Sequence, residues 1–389
     1  MPPTSVHFNG SVNLPDAETV MREIAARVPD GLRRVPDGEP GDRGNWIFFQ
    51  LQKFRQSPAF QVVSEAGAGP GAGAATEPGG AAREADAEAE QGGASEQGRA
   101  SEQGGPESAA AVYRRPPGFR LAEGVTPDTV EWPDPGYADA YTESFAIFTR
   151  LAGEGVLPEG VRFQAEYPTP QAVVSGFAAD DQFEAILGSY ERTLSADLSR
   201  FLAAVPHDRV AVQWDVAVEF RVLESGGPGA SLEAIVANLA RCVDKIPADV
   251  PAGLHLCYGD YMHRHFAEPE SLGMQIRVLN EVTAAASRPV NFVSFTVPQY
   301  QRASAYFAPL RHLAVGPQTE LYFALVPYYP ARQAPGTTAE QIRLVDEFLD
   351  ESPAGSRDWG ICTECGMGRV AREDVPALLD LHREILASR

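Results

Sequence analysis

Eight short apolar runs, most of them separated by amphipathic helical stretches, constrain this chain more than any other feature. They cover residues 6–10, 32–36, 161–167, 209–215, 253–258, 290–296, 320–326 and 359–362. Runs of this length rich in Val, Phe, Leu and Tyr suit strands. Helices between successive strands make those strands run parallel. Residues 232–245 show the intervening pattern, with Leu232, Ile235, Val236, Leu239 and Val243 spaced along one helical face, and residues 274–286 repeat it. Eight strands with intervening helices give the count of a closed (β/α)8 TIM barrel. A doubly wound open sheet is the alternative. A single barrel domain is expected over residues 1–389.

Residues 64–111 break the pattern. They are almost entirely Ala, Gly, Glu, Gln and Ser, with the near-repeat Ser95-Glu96-Gln97-Gly98 and Ser101-Glu102-Gln103-Gly104. Such a composition has nothing with which to bury a core, so a disordered acidic insertion within the domain is expected. The formal net charge of −21 disfavours both nucleic acid and an anionic membrane surface as partners. No apolar run has the length of a membrane span, and residues 1–7 lack the basic and apolar regions of a signal peptide. Four cysteines in 389 residues do not make a disulfide framework. Thiols that serve as ligands need a reducing compartment, so a cytoplasmic location is expected.

In barrels of parallel strands, chemistry gathers at the carboxyl ends. Ser11, Asp37, Glu39, Glu166, Asp215, His255, Cys257 and Cys365 all fall there. His255-Leu256-Cys257 and, about a hundred residues later, Cys362-Thr363-Glu364-Cys365 contain three of the four cysteines. Residues i and i+2 of a strand share a side, so His255 and Cys257 can share one metal. Imidazole and thiolate are ligands that tetrahedral zinc prefers. Either segment alone reads equally as a buried Cys beside a satisfied core His; together they favour zinc. Asp260, His263, His265 and Glu268 follow in a loop, as substrate contacts or as solvated residues. Arg43 and Asn45 offer a corner for a carboxylate or phosphate, while Trp46, Trp214 and Cys242 read as packing residues. Tyr167-Pro168-Thr169-Pro170 either shapes a pocket floor or turns the chain.

The order Gly10-Ser11, Gly38-Glu39 with Arg43 and Asn45, Gln213-Trp214-Asp215, His255-Leu256-Cys257 and Cys365-Gly366 resembles the C-terminal catalytic barrel of cobalamin-independent methionine synthase. Small single-barrel relatives of that family resemble it more closely still, through Arg34-Val35-Pro36-Asp37-Gly38-Glu39 and Thr363-Glu364-Cys365-Gly366. The resemblance implies that His255, Cys257 and Cys365 hold zinc. It also implies that a small thiol joins the metal as a thiolate and takes a methyl group, with methylfolate as the family's donor. Asp215 and Glu39 would hold the ammonium group of the substrate, with the backbone near Ser11 close to its carboxylate.

Three departures alter what carries over. Thr296 stands where the family has a glutamate ligand. Cys362 either replaces that ligand, through a Cys-x-x-Cys turn, or is a small core residue. Val326-Pro327-Tyr328-Tyr329 stands where the family has a catalytic histidine, so a general-acid role passes to Tyr328, Tyr329 or another group, or is absent. Nothing here matches the family's N-terminal barrel, which leaves the methylfolate donor open. The leading reading is a zinc-dependent methyl- or alkyltransferase acting on a small thiol. The alternatives are a metal-dependent lyase or hydrolase acting on a thioether, and a non-catalytic zinc-binding scaffold.

Overall fold

The computed structural model describes residues 3–63, 118–227, 229–260 and 264–388. Each of the eight expected strands contributes to one parallel sheet. It consists of β1 (Ser5–Val6), β2 (Arg34–Pro36), β5 (Arg162–Pro168), β6 (Val210–Val216), β7 (Ala252–Leu256), β8 (Phe292–Phe295), β9 (Glu320–Phe323) and β10 (Gly360–Ile361). Their order across the sheet is β1-β10-β9-β8-β7-β6-β5-β2. A separate antiparallel pair, β3 (Phe60–Val62) and β4 (Phe119–Leu121), was not expected from the sequence. Val63 donates its N–H to Gly118 O at 2.8 Å, so the chain on the two sides of residues 64–117 is hydrogen-bonded together. The proposed acidic insertion, residues 64–111, lies outside the described residues.

Strand alternation divides the sheet into two unlike faces. Phe163, Ala165, Tyr167, Val212, Trp214, Leu254, Leu256, Val293, Phe295, Leu321 and Phe323 form the apolar set, all buried. Their neighbours of opposite parity are Arg34, Gln164, Glu166, Gln213, Asp215, His255, Ser294, Glu320 and Tyr322. Trp214 takes its expected packing place, its indole N–H donating to Cys242 O at 3.0 Å. The apolar face is driven together by burial. The polar face has to be satisfied by its own hydrogen bonds.

Those bonds show that the sheet is curled. Flat, with strands about 4.8 Å apart, β2 and β9 would lie roughly 24 Å from one another. Instead Arg34 on β2 donates to Glu320 Oε2 at 2.6 Å and to Tyr322 OH at 2.7 Å on β9. Its guanidinium also lies 3.9 Å from the centre of the Phe292 ring on β8. At the two edges of the sheet, Val6 pairs with Leu32 in an isolated parallel bridge, and Val6 N donates to Gly31 O at 3.0 Å. The fold is therefore mixed α/β with a curled eight-stranded parallel sheet, consistent with a TIM-like barrel. No helix of the described residues is long and apolar enough to cross a membrane.

The interior is filled by pairing large side chains with glycines. A Cβ on Gly360 would lie 2.5 Å from Ser5 Oγ, 2.6 Å from Ser5 O and 2.6 Å from a Tyr322 ring carbon. Gly360→Ala is expected to lower the unfolding free energy by about 1–3 kcal/mol, the usual cost of overfilling a packed interior. The effect would read as a lower urea midpoint at unchanged slope. A wild-type midpoint would show that β1 and β9 separate freely enough to admit a methyl group.

Candidate metal centre

Parallel register sets the site. Asp215 on β6 lies opposite His255 on β7, and His255 lies opposite Ser294 on β8. Cys257 continues the ladder one residue beyond β7, its N–H donating to Val216 O at 2.9 Å. It therefore points to the same side as His255. Cys365 arrives on the loop after β10. The ligand atoms of His255, Cys257 and Cys365 all lie within 4.8 Å of one another.

The loop that carries Cys365 is held from several directions. Tyr328 OH donates to Cys365 O at 2.6 Å and accepts from Cys365 N–H at 2.8 Å. Glu364 Oε2 pairs with His265 Nε2 at 2.6 Å, and Glu364 Oε1 accepts from Gln299 N–H at 2.8 Å. Gly366 packs against Ser11 so closely that a Cβ there would sit 2.4 Å from Ser11 Oγ and 2.9 Å from Ser11 N. No larger residue fits at that point without moving the loop.

The donor set suits zinc. Two thiols and an imidazole are the ligand types of tetrahedral zinc sites with an open position. His255 Nε2 is buried without a hydrogen-bond partner, which is the condition expected of a nitrogen kept for a metal. The neighbouring Cys257 thiol, followed by burial, holds the Cys365 thiol well above its usual range. Metal binding would have to displace that proton. Cys362 lies outside the group of three. It is fully buried, and burial pushes its thiol up. Thr296 is also taken, since its hydroxyl donates to Leu256 O at 2.9 Å. Among the described residues, three side chains gather as candidate ligands.

A cleft open to solvent extends from these ligands. Ser11, Glu39 and Asp215 line it, as the sequence suggested, together with Asn9, Trp46, Phe48, Phe177, Phe266 and Arg369. Burial and then the Asp215 charge push Glu39 up to about 8, against the pull of Arg43. Burial raises Asp215 to about 6, although His255, Gln213 and the Trp46 indole all favour its charged form. Burial also raises Glu166 well above the usual carboxylate range, with the charges of Asp37 and Glu39 adding to it.

Several residues stand elsewhere than the sequence suggested. Arg43 is spent behind the cleft, donating to Asp37 at 2.6 and 3.4 Å with its guanidinium 4.7 Å from the Tyr141 ring centre. Asn45 is exposed and not part of the cleft lining. Tyr328 is bound to the Cys365–Gly366 backbone, so it positions the loop and its hydroxyl is not available as an acid in the cleft. His265 is not part of the cleft lining and sits between Glu268 and Glu364. Burial opposes its charge, but the two carboxylates outweigh burial and raise it to about 10. His263 lies outside the described residues. Thr169 caps the helix Pro170–Phe177, so the Tyr167–Pro170 stretch turns the chain, and Phe177 at the end of that helix reaches the cleft.

Trp46 is not the packing residue that its sequence context suggests. It is half-buried, lines the cleft and hydrogen-bonds Asp215. The backbone explains the difference. Glu39 at φ 52 and Trp46 at φ 51 are the non-glycine residues with positive φ among those described, and both line this cleft. Such conformations cost about 1–3 kcal/mol each and concentrate at functional sites. Nothing in the local sequence marks them.

No family model matches the chain. Among solved structures it is similar to one described as "Putative Vitamin-B12 Independent Methionine Synthase from Listeria monocytogenes", with 12% identity and a TM-score of 0.42, over 63% of this chain and 69% of that one.

The carboxylates generate a prediction about pH. Glu39 keeps its proton in the folded state up to about 8, whereas its ordinary value is 4.5. Between those limits the native state binds a proton that the unfolded chain has released, so its contribution to stability is lost as pH rises. Glu39→Gln removes that loss. The variant's melting temperature is expected to fall less steeply than wild type's across this window. Parallel curves would mean that Glu39 ionises normally in the folded protein.

Proposed function

We propose that this chain is a zinc-dependent methyl- or alkyltransferase acting on a small thiol that carries an ammonium group. The observation that carries the reading is the convergence of His255, Cys257 and Cys365 within 4.8 Å, with His255 Nε2 buried and unpartnered, beside a cleft lined by Glu39 and Asp215. The curled sheet is taken as a closed (β/α)8 barrel, supported by the Val6–Leu32 bridge between its edges. Bound zinc would supply the means to keep a substrate sulfur deprotonated near neutral pH while leaving it nucleophilic.

The remaining work falls to the chain itself. Glu39 and Asp215 together provide the negative end of the cleft, and an ammonium group between them would favour the ionised form of both. Ser11 packs against Gly366, next to Cys365 in the cleft lining, and the backbone there would lie near a substrate carboxylate. Trp46, Phe48, Phe177 and Phe266 provide an apolar wall, which excludes water and strengthens the charge interactions within. The methyl donor would enter along that wall, and methylfolate is the donor that the family resemblance suggests.

One observation favours a second reading. Burial and the charge of Asp215 push Glu39 up to about 8, which favours a carboxylic acid in the cleft at neutral pH. In a lyase or hydrolase acting on a thioether, that acid can protonate a leaving group. Turnover of a single thioether without any donor would select this reading over the transferase.

Protein purified without added metal and then reconstituted is expected to hold about one zinc per chain, matching a single three-donor site. Cys257→Ser and Cys365→Ser should lose it, whereas Cys362→Ser should keep it because that thiol lies outside the donor group. Absence of zinc after reconstitution would end both metal-dependent readings. Loss in the Cys362 variant alone would move the site.

A further inference from the structure

The chain of hydrogen bonds behind His255 has a direction, and an acceptor-only group fixes it. At its far end is the carbonyl of Thr363, which can only accept. Asn9 Nδ2 donates to that carbonyl at 2.7 Å. The Asn9 amide is thereby oriented, because the opposite orientation would set two oxygens against each other. Its Oδ1 is left as an acceptor, 2.8 Å from Ser294 Oγ. Ser294 has one proton and gives it to Asn9. Its oxygen therefore has only an acceptor role to offer His255 Nδ1, 2.8 Å away. His255 must carry a proton on Nδ1, so its neutral ring has the lone pair on Nε2, the buried nitrogen without a partner.

We infer that Asn9 and Ser294 are positioning residues for the metal centre. They fix the Nδ1–H tautomer of His255 and keep Nε2 unprotonated for a ligand. The inference rests on the zinc reading of the site and names the residues that prepare one ligand of it. Fixing a ligating imidazole through its other nitrogen is how proteins set both tautomer and ring orientation. Here the chain ends on Thr363, two residues before Cys365, so one set of bonds aligns the histidine and holds the loop of a cysteine ligand. Asn9 and Ser294 are both buried, at 5% and 1% exposure, so solvent does not compete for these bonds. The main chain of Asn9 is tied as well, its carbonyl accepting from Gln213 Nε2 at 3.2 Å. Neither residue belongs to the candidate ligand group. Their effect reaches the metal only through His255 and the Cys365 loop.

The test is long-range nitrogen–proton NMR on metal-free, full-length protein labelled with 15N-histidine, together with zinc affinity measured by chelator competition. His255 is identified by its absence in a His255→Gln sample. Wild type is expected to show His255 protonated at Nδ1 and bare at Nε2. Ser294→Ala should give a mixture of tautomers and bind zinc about 10–100-fold more weakly, the usual cost of removing such a partner. Asn9→Ala should act in the same direction, which covers the case in which one variant does not fold. A wild-type His255 protonated at Nε2 would overturn the inference, as would folded variants with unchanged tautomer and zinc affinity. An Nδ1–H histidine in wild-type protein that binds no zinc would uphold the hydrogen-bond chain and remove the zinc reading instead.

Discussion

The site depends on the register of the parallel ladder. Asp215, His255, Ser294 and Tyr322 stand in one row across four strands. Because side chains alternate faces, a slip of one residue in β7 would turn His255 and Cys257 toward the helices and bring Leu254 and Leu256 inside. The burial of the apolar face enforces that register. The same hydrophobic burial that folds the sheet therefore aligns the polar row, and the polar row gains its geometry without having to drive folding.

Many of the buried polar groups of the polar face are linked into chains of hydrogen bonds. β1 and the residues that follow it supply the crossing points: His7 Nε2 meets Gln213 Oε1 at 2.8 Å, and Gln213 Nε2 donates to Asp215 at 2.9 Å. Asn9 is the central link of the other chain, which runs from His255 through Ser294 and Asn9 to the carbonyl of Thr363. β1 is only two residues long, yet side chains on it and just beyond it reach the two groups on which the proposed chemistry depends. Asp37, Glu39, Glu166 and Asp215 form an acidic cluster in which Arg43 pairs with Asp37. Burial, reinforced by the neighbouring carboxylates, pushes both Glu39 and Glu166 toward their protonated forms. A cation entering the cleft would meet carboxyl groups ready to ionise.

Much of the fold was legible in the sequence because it follows from periodicity. Runs of period two flanked by helical patterns located all eight strands within a few residues. Ser11, Glu39, Asp215, His255, Cys257 and Cys365 were legible as polar residues at strand ends and in short motifs. Arg43, Asn45, His265 and Tyr328 were legible as residue types but not as roles. Each is settled by a partner distant in sequence or by exposure: Arg43 by the Asp37–Tyr141 packing, Tyr328 by a backbone thirty-seven residues away, His265 by Glu364 ninety-nine residues away. Trp46 depended on a backbone conformation that local propensity disfavours, and only the surrounding structure holds it there.

By itself, the sequence determined which faces each strand could present, because chirality and side-chain alternation act within a few residues. It also determined that His255 and Cys257 share a side, since two residues of one strand require no partner to agree. Curling of the sheet, the arrival of Cys365, the exclusion of Cys362 and the tautomer of His255 were decided by tertiary structure. Each depends on donors and acceptors from separate strands or loops meeting at hydrogen-bond distance. Asn9 and Ser294 lie 285 residues apart in the chain, and their contact exists only because burial has already brought the segment after β1 against β8.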